Sequence, residues 1–187
     1  MEKTKNILKT RQEYDEYINI LKNKISQYDL ENNFSEIVFL CVGTNKIVGD
    51  MIGPIVGENL KNKIKHDKKK IYIYGNMQET LNLKNAKDVI KKIEYQYINP
   101  FIITVDTALS KKNNNKKIYV GQGSIEIGKA VSEGIRYYSH VNIKGIVGIY
   151  QDTVEENLNT LKNVKLKEID YLASMISNGI TEAINYI

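Results

Sequence analysis

The sequence predicts an α/β protein, a three-layer α/β/α sandwich around a largely parallel mixed sheet. Two observations lead there. The runs with strand character, EIVFLCV (36–42), FIITVD (101–106) and VNIKGIVGIY (141–150), are continuously apolar rather than alternating, as in strands buried on both faces. Stretches of helical periodicity lie between them, so strands and helices alternate along the chain.

Residues 8–30 place Tyr14, Tyr17, Ile18, Leu21 and Ile25 at three- and four-residue steps and predict an amphipathic helix. EIVFLCV is the first buried strand. IGPIVGENLKNKI (52–64) predicts a helix, with Asp50 able to cap it and Pro54 confined to its first turn. IYIYG (71–75) is a second strand. Residues 83–96 form a helix with Ala86, Val89, Ile90 and Ile93 on one face, and FIITVD is a strand ending at a carboxylate. KKIYVGQG and SIEIG (116–128) read as further strands or a hairpin, VNIKGIVGIY as the last strong strand, and 153–161 as a helix or an irregular segment. LKEIDYLASMISNGITEAI (166–184) closes the chain as a helix with the stripe Leu166, Ile169, Leu172, Ala173, Ile176 and Ile180. No repeat or linker divides the 187 residues. One domain is expected, with 1–34 as a helical extension and 35–187 as the α/β core.

With 42% hydrophobic and 26% charged residues, the composition is that of an ordinary soluble globular protein. The single cysteine, Cys41, excludes an internal disulfide framework and a Cys-cluster metal site. Inside FLCVG it reads as a small buried hydrophobe rather than a nucleophile. No apolar run is long enough to span a bilayer, and the N-terminus lacks the apolar region of a secretory signal. A cytoplasmic protein without a membrane partner is expected. The formal charge of +5 gathers in KHDKKK (65–70) and KKNNNKK (111–117), neither interleaved with aromatics. Solvated loops are the expectation; a basic rim for an acidic partner is the alternative, and no direct nucleic-acid partner is expected.

The segment GTNKIVGDMIGP (43–54) holds three glycines, a proline and Asp50 between a buried strand and a helix. In open α/β sheets, sites form beyond the carboxyl ends of the strands. If the strands preceding Asp50 and containing Asp106 are neighbours, both carboxylates face one crevice. Two unit charges about 4 Å apart at an effective dielectric of ~20 repel by roughly 4 kcal/mol, enough to separate two titrations by about three pKa units. The ionised member can then activate water while the protonated one polarises a carbonyl. The same pair, with one more ligand, can hold a divalent cation. The plain alternatives are a helix cap for Asp50 and a turn former for Asp106. His66 lies in a lysine-rich stretch and reads as solvated; His140 is either an ordinary histidine or a third ligand or acid/base. The glycine-rich turn is not a P-loop, and GQGSIEIG lacks the spacing of a dinucleotide fingerprint.

FLCVGTNKIVGDMIGPIVGENL, the VD of FIITVDTALS, GQGSIEIGKAV and the terminal ISNGI resemble the YyaC-type sporulation proteins, described as spore proteases, over roughly residues 35–185. That family is similar to the germination protease of endospore formers and to the hydrogenase maturation endopeptidases. The resemblance implies a phosphorylase/hydrolase-like fold and an atypical aspartic endopeptidase with Asp50 and Asp106 as catalytic residues. In a peptidase of this kind Gly43, Thr44 and Asn45 are expected to bind substrate with backbone or side-chain donors near the oxyanion, with Gly49 and Gly53 allowing close backbone approach. The resemblance implies a protein substrate, among them small acid-soluble spore proteins, in a sporulating cell or spore core. No cofactor is implied by the aspartic reading. The maturation peptidases imply the alternative of a divalent metal at Asp50, Asp106 and His140. A non-catalytic binding or assembly protein on the same fold is the rival of another class. The first and last helices each offer a face for a homo-oligomer.

Overall fold

The structure is a computed structural model that describes residues 2–64, 69–111, 118–128 and 134–186. His66, most of KHDKKK, residues 112–117 of KKNNNKK and residues 129–131 of GQGSIEIGKAV lie outside the described residues. The elements are α1 (Glu2–Asn32), β1 (Glu36–Cys41), a 3-10 turn (Val48–Asp50), α2 (Ile52–Lys63), β2 (Lys70–Tyr74), α3 (Ala86–Gln96), β3 (Phe101–Ser110), β4 (Ile118–Ile127), β5 (Ile135–Ile149), α4 (Val154–Lys162) and α5 (Leu166–Asn185).

The described strands form one sheet in the order β2-β1-β3-β5-β4. β1 pairs in parallel with both β2 and β3, β3 in parallel with β5, and only β4 runs antiparallel at its edge. The chain leaves β1 through α2 to β2 on one side, then passes through α3 to β3 on the other. The sheet therefore changes winding direction between β1 and β3, the place where α/β sheets open a crevice.

The apolar strand runs bury side chains on both faces. Ile37, Phe39, Cys41, Ile103, Val105 and Ile143 pack with residues of α1, α2 and α5. Val38, Leu40, Ile102, Ile125 and Ile127 pack with Ala86 and Ile93 of α3. Helices on both faces of a mixed, mostly parallel sheet give the expected α/β sandwich. The N-terminal helix belongs to the first of these layers: Tyr17 is buried, and its hydroxyl donates to the Ile176 carbonyl of α5 at 2.8 Å.

Three expectations change in the structure. β3 does not stop at Asp106 but runs to Ser110, because residues 107–110 keep pairing with β5 after β1 has ended. The described part of 116–128 is one strand, not two, with its register broken between Gly121 and Gly123. Leu166 is 51% exposed at the first position of α5, so the buried stripe begins at Ile169.

Candidate functional site

The turn after β1 is tied to itself and to its neighbours by backbone bonds. Val42 N–H donates to the Val105 carbonyl at 2.7 Å, and Gly43 N–H to the Leu81 carbonyl at 2.9 Å. Thr44 N–H donates to the Asp50 carbonyl at 3.1 Å, closing the loop at its base. Gly43 has φ +146°, and a Cβ on it would lie 2.2 Å from the Asp50 carbonyl oxygen. A Cβ on Gly53 would lie 2.0 Å from the Val42 carbonyl oxygen. These glycines let the start of α2 sit directly on the end of β1, which fixes Asp50 above it. Gly49 plays the same part toward α4, where a Cβ would meet the Leu161 carbonyl oxygen at 2.4 Å. The close approaches the glycines permit are thus to the protein's own backbone.

Asp50 is not the cap of α2. It sits in the 3-10 turn, which inserts one position further before the helix, so Met51 holds the N-cap position and makes no side-chain capping bond. The capping explanation of this carboxylate falls away.

Asp106 is the first residue of β3 beyond its last rung with β1, Cys41 opposite Val105. It therefore stands where the β1–β3 ladder opens. Both aspartates are half-buried. Loss of hydration pushes Asp50 up to about 7, opposed by the Thr44 backbone amide. Loss of hydration also pushes Asp106 up to about 7, and the Asp50 charge pushes in the same direction. The Thr107 amide, which donates to Asp106 Oδ1 at 2.7 Å, and the Lys144 ammonium pull it back. The structure thus brings Asp50 and Asp106 within electrostatic reach of each other at the switch point of the sheet. Near neutral pH such a pair can hold a single proton.

The other predicted residues fall out differently. The amides of Gly43 and Thr44 are already committed to Leu81 and Asp50, and the Asn45 side-chain amide donates to the Met77 carbonyl at 3.0 Å. These three hold the loop together; the Gly43 and Thr44 amides have no proton left for an oxyanion. Cys41 is fully buried, and burial pushes its thiol up to about 12, so it behaves as the small hydrophobe its sequence context predicts.

His140 lies inside β5 rather than before it, and away from the aspartates. The register break opposite it changes which face the β5 side chains take. Ser139 and Asn142 both turn to Thr104, while the His140 ring stacks on Phe101 at 5.1 Å and meets the Tyr28 ring of α1 at a tilt, 4.3 Å between centroids. Its Nδ1 accepts from Ile102 N–H at 2.8 Å, and burial lowers its pKa. Among the described residues there is no group of three His, Cys, Asp or Glu side chains placed to hold a metal ion. Asp50, Asp106 and His140 therefore do not form the donor set of the metal alternative.

Sequence reasoning missed two features. Lys144 is directly opposite Asp106 in the parallel β3–β5 ladder and half-buried. Its signal was present: a lone lysine within the apolar run VNIKGIVGIY. Below it, Thr104, Ser139 and Asn142 are buried polar residues bonded to one another, and Ser139 and Asn142 also donate to the Gly123 carbonyl. The open cleft between α4, α5 and the end of β5, with Val147, Gln151, Asn159 and Lys165 among its walls, contains neither aspartate.

Comparison with known proteins agrees with this architecture. The crystal structure of a [NiFe] hydrogenase maturation protease HycI from Thermococcus kodakarensis KOD1 superposes with a TM-score of 0.53 at 20% identity, covering 86% of this chain and 99% of that one. The two share a fold. The chain is 28% identical over 145 residues to "Uncharacterized protein YyaC" of Bacillus subtilis (strain 168), covering 78% of this chain and 68% of that protein. No described helix is long and apolar enough to cross a membrane. Residues 5–179 match the family described as "Protein of unknown function (DUF1256)", and the chain belongs to that family.

Proposed function

We propose that this protein is an endopeptidase of the germination-protease type, in which Asp50 and Asp106 share a proton and hydrolyse a peptide bond. The observation that carries the reading is the pair itself. Two aspartates from separate elements converge at the β1–β3 switch point, neither caps a helix, and each is raised to about 7. A peptidase-like fold supports it.

The Thr107 amide and Lys144 favour the ionised form of Asp106 once Asp50 holds the shared proton and its opposing charge is gone, so we assign the base to Asp106. It takes a proton from water as the oxygen attacks the carbonyl carbon. Asp50 holds the shared proton and delivers it to the leaving nitrogen as the C–N bond breaks. The substrate we propose is a small acid-soluble spore protein in a sporulating cell or spore core, with no cofactor required.

The test is mass-spectrometric detection of fragments after incubation with small acid-soluble spore proteins. Wild-type protein should give defined fragments; Asp50→Asn and Asp106→Asn should each lose cleavage by about 1,000-fold or more while remaining folded. Undiminished cleavage by either variant would refute the dyad. Absence of cleavage by folded wild type would favour a binding or assembly protein on the same fold.

A further inference from the structure

We propose that Lys144 is a third catalytic residue, whose ammonium receives the carbonyl oxygen of the scissile peptide bond beside the aspartate pair. The inference rests on the peptidase reading and adds the electrophilic partner that reading lacks.

The geometry comes from strand register. Asp106 and Lys144 are partners in a parallel ladder, so their side chains leave the sheet on the same face from adjacent strands. That face is the one on which Thr104 meets Asn142, two residues earlier on each strand. Lys144 is half-buried, the state in which a lysine can lay its apolar stem along its neighbours and keep its ammonium in reach of solvent. A lysine inside a buried strand ordinarily finds a carboxylate. Among the described residues Lys144 forms no salt bridge with Asp106 or with any other acid. The two charged groups stand on one face of adjacent strands without closing into an ion pair. The groups bearing on Asp106 from the surrounding elements are Asp50 of the 3-10 turn, the Thr107 amide of β3 and Lys144 of β5.

The chemistry needs a donor at this place. When water adds, a carbon–oxygen bond forms, and the carbonyl π pair moves onto the carbonyl oxygen. The water proton goes to Asp106. The new negative charge must be met, and the Gly43 and Thr44 amides are spent on Leu81 and Asp50. Lys144 is the cation beside the reacting carboxylate. When the tetrahedral species collapses, the oxygen pair returns to carbon, the C–N bond breaks, and Asp50 protonates the nitrogen, so the ammonium keeps its own protons throughout. An electrostatic donor of this kind is worth about 100- to 1,000-fold in turnover.

The test compares wild type, Lys144→Arg and Lys144→Met for cleavage of small acid-soluble spore proteins, with kcat and KM measured separately and the fold checked by thermal melting. The expected result is a fall in kcat of about 100-fold for Lys144→Met with KM changed less than about threefold. Lys144→Arg, which keeps a positive donor, should recover at least a tenth of wild-type kcat. Active wild type with an equally active, folded Lys144→Met overturns the role of Lys144 and leaves the dyad standing. A loss in kcat that Lys144→Arg does not recover, tracking a fall in melting temperature, assigns Lys144 to packing and also overturns it. Inactive wild type overturns both the peptidase reading and this one.

Discussion

Asp50 pushes up the pKa of Asp106 from across the opening that forms where β1 ends and β3 continues alone toward β5. Neither residue is close to the other in sequence. The turn that carries Asp50 is held against the end of β1 by Gly43 and Gly53, and β3 brings Asp106 to the same level one strand over. The site is therefore a product of strand order together with one tightly closed loop.

The raised carboxyls make stability depend on pH in a defined direction. Each aspartate has a folded pKa of about 7 against an ordinary 3.8. Below about pH 4 both folded and unfolded chains hold these protons, and the groups cost nothing. Between about 4 and 7 the unfolded chain releases protons the folded chain retains, so stability falls as pH rises through that window and stays lower above it. Asp106→Asn should therefore melt higher than wild type at pH 8 and at the same temperature at pH 4. The upper bound is about 4 kcal/mol, reduced to about half by solvent reaching a half-buried group. Thermal melts at the two pH values check it.

Gly53→Ala separates packing from helix propensity. Alanine is the better helix former by about 1 kcal/mol, and Gly53 lies in the first turn of α2. Its Cβ would nevertheless meet the Val42 carbonyl oxygen at 2.0 Å. The clash should win, destabilising the protein by about 2–3 kcal/mol in urea titration and displacing Asp50 enough to lower cleavage.

His140→Phe tests the placement of the histidine. The ring contacts with Phe101 and Tyr28 can be kept, but Ile102 N–H loses its acceptor. A cost of about 1–3 kcal/mol in stability is expected, with cleavage within about twofold of wild type. Loss of cleavage in a folded variant would return the histidine to the site.

Much of this was legible in the sequence, and the reasons for the remainder are physical. The continuously apolar runs announce buried parallel strands, and the glycine-rich turn ending in Asp50 marks the carboxyl end of β1. The rule that sites lie beyond strand ends then pairs Asp50 with Asp106. Inter-strand register is another matter. Lys144 faces Asp106 only because β5 pairs with β3 in this alignment, and nothing local to VNIKG states it. The continuation of β3 through TALS has the same origin. The sequence leaves His140 open between an ordinary histidine and a third ligand, because the register break near Gly121 and Gly123 redirects the neighbouring β5 side chains and a simple alternation cannot foresee that. The capping role given to Asp50 failed by one position, since a 3-10 turn intervenes before α2.

Coupling should make Asp50 and Asp106 titrate as one pair near neutrality. Carboxyl-carbon NMR titration of aspartate-labelled protein, in wild type and in Asp50→Asn, tests it without any substrate. Two aspartates should titrate near 7 in wild type. In Asp50→Asn the pKa of Asp106 should fall, while staying above 3.8 because burial still opposes its charge. Ordinary titration of both residues near 4, or an Asp106 indifferent to the removal of Asp50, would contradict it.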